Sequence, residues 1–160
     1  EFRRVLFRSP EHPVSQRVVE RIAVDGFASV LGTELVSRET DKVVIKMPYR
    51  EALGIGRIHG GAISALVDIA ATAGFWSHPN VNPQTRGATV DFTIHFLRLA
   101  VGIDLYAHAR VRRRGGTLCT GDVSVRSESG EEMAVARVTY KMLTGRSSGS
   151  VSGREDSRGI

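Results

Sequence analysis

A chain of 160 residues with 41% hydrophobic and 24% charged residues fits one soluble globular domain and is long enough to build a core without staples. Its one cysteine, Cys119, excludes an intrachain disulfide, and the longest apolar run, around residues 62–73, is broken by Asp68 and too short to span a bilayer. The formal net charge of +5 points to anionic partners, with nucleic acid and a phosphate-bearing nucleotide as the options, but much of the excess sits at the ends and in one turn.

Residues 1–12 are expected to be a non-native or disordered leader: the first residues lack an initiator Met and resemble translated cloning or adaptor DNA. Between Ser15 and Leu31, the apolar residues Val18, Val19, Ile22, Ala23 and Phe27 recur at helical spacing, with Gly26 and Gly32 as later interruptions, which predicts an N-terminal helix. Glu34 to Ser37 and Lys42 to Met47 read as strands, the second closed by Pro48. Tyr49 to Ile58, with Gly54 and Gly56, reads as a loop. His59 to Trp76 is long, rich in Ala and apolar almost all the way round, so it predicts a helix buried on most of its faces, with Asp68 its only charge. After a polar loop, Thr89 to Leu97 alternates, with Val90, Phe92, Ile94 and Phe96 expected on one face. Ile103 to Arg112, Leu118 to Arg126 and Met133 to Met142 read as three further strands, with Gly115-Gly116 and Ser129-Gly130 as turns. Residues 144–160, poor in apolar side chains, are expected to be a disordered tail, which leaves 13–143 as the domain.

Four final strands joined by short turns predict an antiparallel sheet, and only the helix at 59–76 is apolar enough to fill its curl. The fold class is therefore α+β, an antiparallel sheet wrapped around a long central helix. An uncovered strand edge would favour pairing with a second copy.

The run Arg57-Ile58-His59-Gly60-Gly61 is followed by small and apolar residues and then by Leu66-Val67-Asp68, nine positions after the His. This resembles the PaaI-like branch of the hotdog-fold acyl-CoA thioesterases. Gly87 to Asp91, Phe96 to Ala100 and Arg114 to Thr117 resemble the same family, so the likeness spans about 27–143. The resemblance implies a cytoplasmic thioester hydrolase acting on acyl-CoA without metal or cofactor. It also implies a homodimer or homotetramer whose sites are shared between subunits, with no nucleic-acid or membrane partner.

Elementary chemistry reads the same residues in the same direction. Gly60 and Gly61 at a helix start leave backbone N–H groups unshielded at the positive end of the helix dipole, a ready oxyanion hole for a thioester carbonyl under attack. Asp68 lies eight residues beyond Gly60, about 12 Å along an α-helix, too far for both to flank one carbonyl carbon within a chain. A composite site, Gly60 from one subunit and Asp68 from the other, follows. Asp68 in apolar surroundings could act as general base towards water or as nucleophile. Thr89 could orient the water or Asp68, and His59 shapes the turn. Gly61, Leu53, Ile63, Leu66 and Val67 are expected to line the acyl pocket, and Arg113, Arg114 and Gly115 to clamp the CoA phosphates. Many relatives carry Asn six residues before the His, a position held here by Leu53, and loss of an oxyanion donor can cost on the order of 10²–10³ in rate.

Each feature also has a structural reading. Asp68 could cap a buried polar network, the two glycines could serve close packing, Thr89 is a good strand residue, and the arginine run could be a solvated hairpin tip. Two rival functions remain: a non-catalytic acyl-CoA-binding hotdog module, favoured by Leu53, and a hotdog hydratase. His12, His78, His95 and His108 show no metal-ligand spacing, and Gly54-Ile55-Gly56 lacks both the third Gly and the βαβ setting of a dinucleotide fingerprint.

Overall fold

The computed structural model describes residues 13–145. The leader and nearly all of the tail read from the sequence lie outside the described residues. Helix α1 (Pro13–Val24) and the short helix α2 (Phe27–Leu31) divide the expected N-terminal helix at Gly26, whose φ of 55° suits glycine. Strands β1 (Glu34–Glu39) and β2 (Lys42–Met47) form a hairpin around Asp41, and a 3₁₀ turn (Glu51–Leu53) leads to α3 (Gly60–Trp76). Four strands follow: β3 (Arg86–Phe96), β4 (Leu105–Arg114), β5 (Leu118–Arg126) and β6 (Glu132–Leu143).

All six strands join one antiparallel sheet in the order β1-β2-β4-β5-β6-β3. The expectation that consecutive strands neighbour one another is corrected at β3. This strand pairs with β6 at the far edge, and residues 97–104 carry the chain back across to β4. Helix α3 lies on one face of the sheet, mainly against β2, β4 and β5, and α1 packs along its side. The core between them is built from Val43, Ile45, Met47, Leu66, Val67, Leu105, Val123, Val125 and Val138, all at most 2% exposed. Alternation along β4 and β5 sends one side chain in two into this core, the period a half-buried sheet demands. This is the hotdog arrangement of a sheet around a long helix.

Although α3 is apolar almost all round, its own chain does not cover it entirely. Ile63, Leu66, Val67, Ala70 and Ala71 are buried, while Gly61 is exposed and Ala65, Asp68 and Thr72 are half-buried. These last four recur at seven-residue intervals split four and three, so they form one stripe along the helix. At the β3 edge, Val90 and Phe96 are 56% and 51% exposed. Among the described residues, no helix is long and apolar enough to cross a membrane.

Candidate active site

The start of α3 is organised by its cap. His59 has an extended backbone, and its Nδ1 accepts the Gly61 N–H at 2.8 Å, a task more often given to Ser, Thr, Asp or Asn. Nδ1 is therefore the bare nitrogen, and a neutral ring carries its proton on Nε2. The His59 carbonyl accepts from Ala62 and Ile63. Of the first four helical N–H groups, that of Gly60 has no acceptor among the described residues. Both glycines answer to close neighbours. A Cβ on Gly61 would meet His59 Nδ1 at 2.9 Å, and one on Gly60 would meet the Phe96 ring at 3.2 Å. The Gly60 amide thus sits at the dipole's positive end, beside the last residue of β3.

Two turns further on, Thr89 Oγ1 donates to Asp68 Oδ1 at 2.6 Å. A β-bulge creates this contact. Thr89 pairs with Tyr140 and Asp91 with Thr139, so Val90 is an extra residue and the alternation slips by one. Without the slip, Thr89 would share the outer face with Asp91, Thr93 and His95; with it, Thr89 joins Phe92 and Ile94 on the side of α3. Val90, the extra residue of the bulge, is 56% exposed at the sheet edge.

Behind Asp68 stands Tyr140, which sequence reading did not single out. It is 3% exposed, stacks on Phe75 with ring centroids 4.9 Å apart, and accepts the Trp76 Nε1–H at 2.7 Å. Burial, and then the neighbouring Asp68 charge, push its phenol above the ordinary value against the opposing Trp76 hydrogen bond. Gly87 makes room for it, since a Cβ there would lie 2.5 Å from the ring. The aromatic pair of a strand and a helix end was invisible to periodicity, because 64 residues separate Trp76 from Tyr140.

The remaining expected site residues fall into three places. Leu53 is buried, accepts the His59 N–H through its carbonyl, and lines a cavity of about 350 Å³ together with His59 and Gly61. Ile63, Leu66 and Val67 do not line it. Steps of 100° per residue carry them to the opposite side of α3, where they are at most 2% exposed in the chain's own core. Arg114 also lies on the inner side. A bulge between Val111 and Arg113 turns it inward, where its guanidinium holds Asp41 Oδ1 at 2.6 and 2.9 Å and the Phe75 carbonyl at 2.9 Å. Arg113 stays exposed, and Gly115 borders a hollow of about 160 Å³ by the other end of α3.

A larger hollow of about 760 Å³ lies on the outer face of the sheet, away from α3. Its central carboxylate, Asp122, is already held by Arg112 and by Arg137 at 2.8 Å. Burial acts to raise the Asp122 carboxyl, but the two arginine hydrogen bonds outweigh it and hold the group below the ordinary range. No group of three or more His, Cys, Asp or Glu side chains among the described residues could hold a metal ion.

Comparison with known proteins agrees with this architecture. Residues 55–134 match the family described as the thioesterase superfamily, a span holding both the His59 cap and Asp68. An esterase-named protein of Deinococcus radiodurans is 31% identical over 116 residues, 71% of this chain and 72% of that protein. The crystal structure of a thioesterase family protein from Silicibacter pomeroyi superposes with a TM-score of 0.73 at 27% identity, covering 82% of this chain and 98% of the other. The E. coli PaaI protein from the phenylacetic acid degradation operon shares the fold, with a TM-score of 0.66 at 22% identity over 79% of this chain and 92% of its own. The chain belongs to the thioesterase superfamily.

Proposed function

We propose that this protein is a PaaI-like acyl-CoA thioesterase in which Asp68 activates water and the Gly60 N–H stabilises the oxyanion, the two supplied by different subunits of a dimer. The observation that carries the reading is the Thr89–Asp68 hydrogen bond. Because the Thr89 hydroxyl gives its proton to Asp68, its oxygen lone pairs are left to accept from water. Water so held attacks the thioester carbonyl carbon as Asp68 takes its proton. The oxyanion forms against Gly60, the C–S bond breaks, and the CoA thiolate receives the proton from Asp68. The products are a carboxylic acid and CoA.

The shared site follows from reach. Gly60 and Asp68 of one helix are about 12 Å apart. An antiparallel contact of two α3 helices centred near Ser64 sets Gly60 of one opposite Asp68 of the other. The uncovered stripe of Gly61, Ala65, Asp68 and Thr72 and the exposed apolar edge of β3 are suited to such a contact. It would also carry Arg113 of one subunit towards the α3 start of the other, as a phosphate clamp requires. A cytoplasmic setting and the absence of nucleic-acid and membrane partners belong to the same reading.

A second reading is a non-catalytic acyl-CoA-binding module. It is favoured by Leu53, whose side chain offers no donor beside His59. Free-thiol release from a panel of acyl-CoAs, set beside calorimetric binding of the same compounds, separates the two. Turnover supports the thioesterase; tight binding without turnover supports the module. A single turnover in ¹⁸O-water then tests the base role. Label only in the released acid agrees with it, whereas label in Asp68 marks an anhydride and the nucleophile route.

A further inference from the structure

We infer that the cavity of about 350 Å³ beside the α3 start receives the acyl group, and that Arg50 selects acyl groups ending in a carboxylate; this rests on the thioesterase reading above. The position is the first argument. His59 and Gly61 form part of its wall, so a thioester whose carbonyl oxygen meets the Gly60 N–H can run its acyl arm along the first two turns of α3, past Ala62 and Ala65. The lining is the second. Val30 and Leu31 of α2 and Leu53 of the 3₁₀ turn complete an apolar wall, and Val30 is 64% exposed, more than a large aliphatic side chain gains from lying open to water.

The third argument is Arg50, the one guanidinium in this lining. It donates to the Val30 carbonyl and lies along Gly32, where a Cβ would come within 3.4 Å of its Nε. The group is therefore anchored on the α2 side of the cavity wall rather than swinging free. No carboxylate of the described residues pairs with it. A guanidinium has five donors in a fixed fork, so after the Val30 bond it can still take a carboxylate. The volume holds about a dozen heavy atoms at ~30 Å³ each. An eight-carbon acyl chain with a terminal carboxylate fits within it, and a sixteen-carbon chain extends beyond it.

The test compares octanedioyl-CoA, octanoyl-CoA and hexadecanoyl-CoA by calorimetry on the Asp68→Asn protein, so that binding is read without turnover. The expected result is tightest binding of octanedioyl-CoA. In an Asp68→Asn, Arg50→Met double variant its advantage over octanoyl-CoA should collapse, by on the order of tenfold, the loss typical of a charge-assisted hydrogen bond. Adding Ala52→Trp instead, at an exposed residue of the lining away from the α3 stripe, should weaken both eight-carbon ligands while a melting curve shows the protein still folded. Equal affinity for the two eight-carbon ligands, or affinities unmoved by Ala52→Trp in a folded protein, would overturn the inference. Selective binding in a wild-type protein that releases no thiol would uphold this acyl seat and refute the hydrolase reading.

Discussion

Thr89 gives its hydroxyl proton to Asp68 across 2.6 Å, and it can do so because Val90 is bulged out of β3. One inserted residue moves Thr89 from the outer face of the sheet to the face that α3 lies on. The helix carboxylate thereby gains a partner that both restrains it and can hold a water.

Thr89→Val tests that partnership. The substitution keeps the strand shape and removes the hydroxyl, so turnover number should fall about tenfold or more with KM little changed, while Thr89→Ser retains most activity. Steady-state kinetics of the two variants checks this. Full activity in Thr89→Val would mean that the hydrogen bond to Asp68 is not what matters.

The oxyanion donor and the sharing of sites can be examined together. Proline is accommodated at the first residue of a helix, and His59 already has the extended ψ of 140° that a following proline prefers. Gly60→Pro thus removes the N–H while keeping the helix start, provided the half-exposed Phe96 ring gives by a few tenths of an ångström to admit the new Cβ, and activity should drop by about 10²–10³. Mixing inactive Gly60→Pro and Asp68→Asn subunits should restore about a quarter of wild-type activity, because each mixed dimer has one intact composite site. No recovery on mixing would place both groups in one chain.

Much of this was legible in the sequence, for identifiable reasons. The buried helix announced itself by an apolar run with one charge, and His59-Gly60-Gly61 marked its start. Strand β4 as far as Val111 and strand β5 as far as Val125 alternate into the core. What escaped was everything set by register. The bulges at Val90 and Arg112 shift the alternation by one, so Thr89 reaches the side of α3 and Arg114 turns inward, where unbroken alternation would put both on the outer face. A single-residue slip leaves no trace in a period-two pattern. The placement of β3 beside β6 escaped for a related reason: the turn signals between consecutive strands predict a meander, and the 97–104 crossing looks like an ordinary loop.

The two neighbouring arginines should therefore behave differently. Arg114→Met breaks the tie between Asp41 and the end of α3 and should destabilise the fold by about 1.5–3 kcal/mol. Arg113→Ala, at an exposed position, should leave stability within about 0.5 kcal/mol and raise KM for CoA thioesters. Denaturant melts and KM measured on both variants check the assignment.

Stability should also fall in acid through Asp104. The Tyr49 N–H at 2.8 Å, together with Lys46 at 3.0 Å, holds its carboxyl below the ordinary 3.8 against some burial. The folded chain binds this proton less readily than the unfolded one. Its contribution is full above about pH 4 and is lost as pH drops through the lower, folded value. Asp104→Asn keeps an acceptor for Tyr49 but no charge for Lys46, so the variant should be less stable than wild type at pH 7 and the gap should narrow by about pH 3. Urea midpoints at the two pH values decide it.

The most direct measurement is the rate of free-thiol release from acyl-CoA by the wild-type protein and by Asp68→Asn. The account predicts turnover in the wild type and a loss of about 10²–10⁴ in the variant, with the fold and acyl-CoA binding retained. Hydrolysis that survives in a folded Asp68→Asn protein would contradict it.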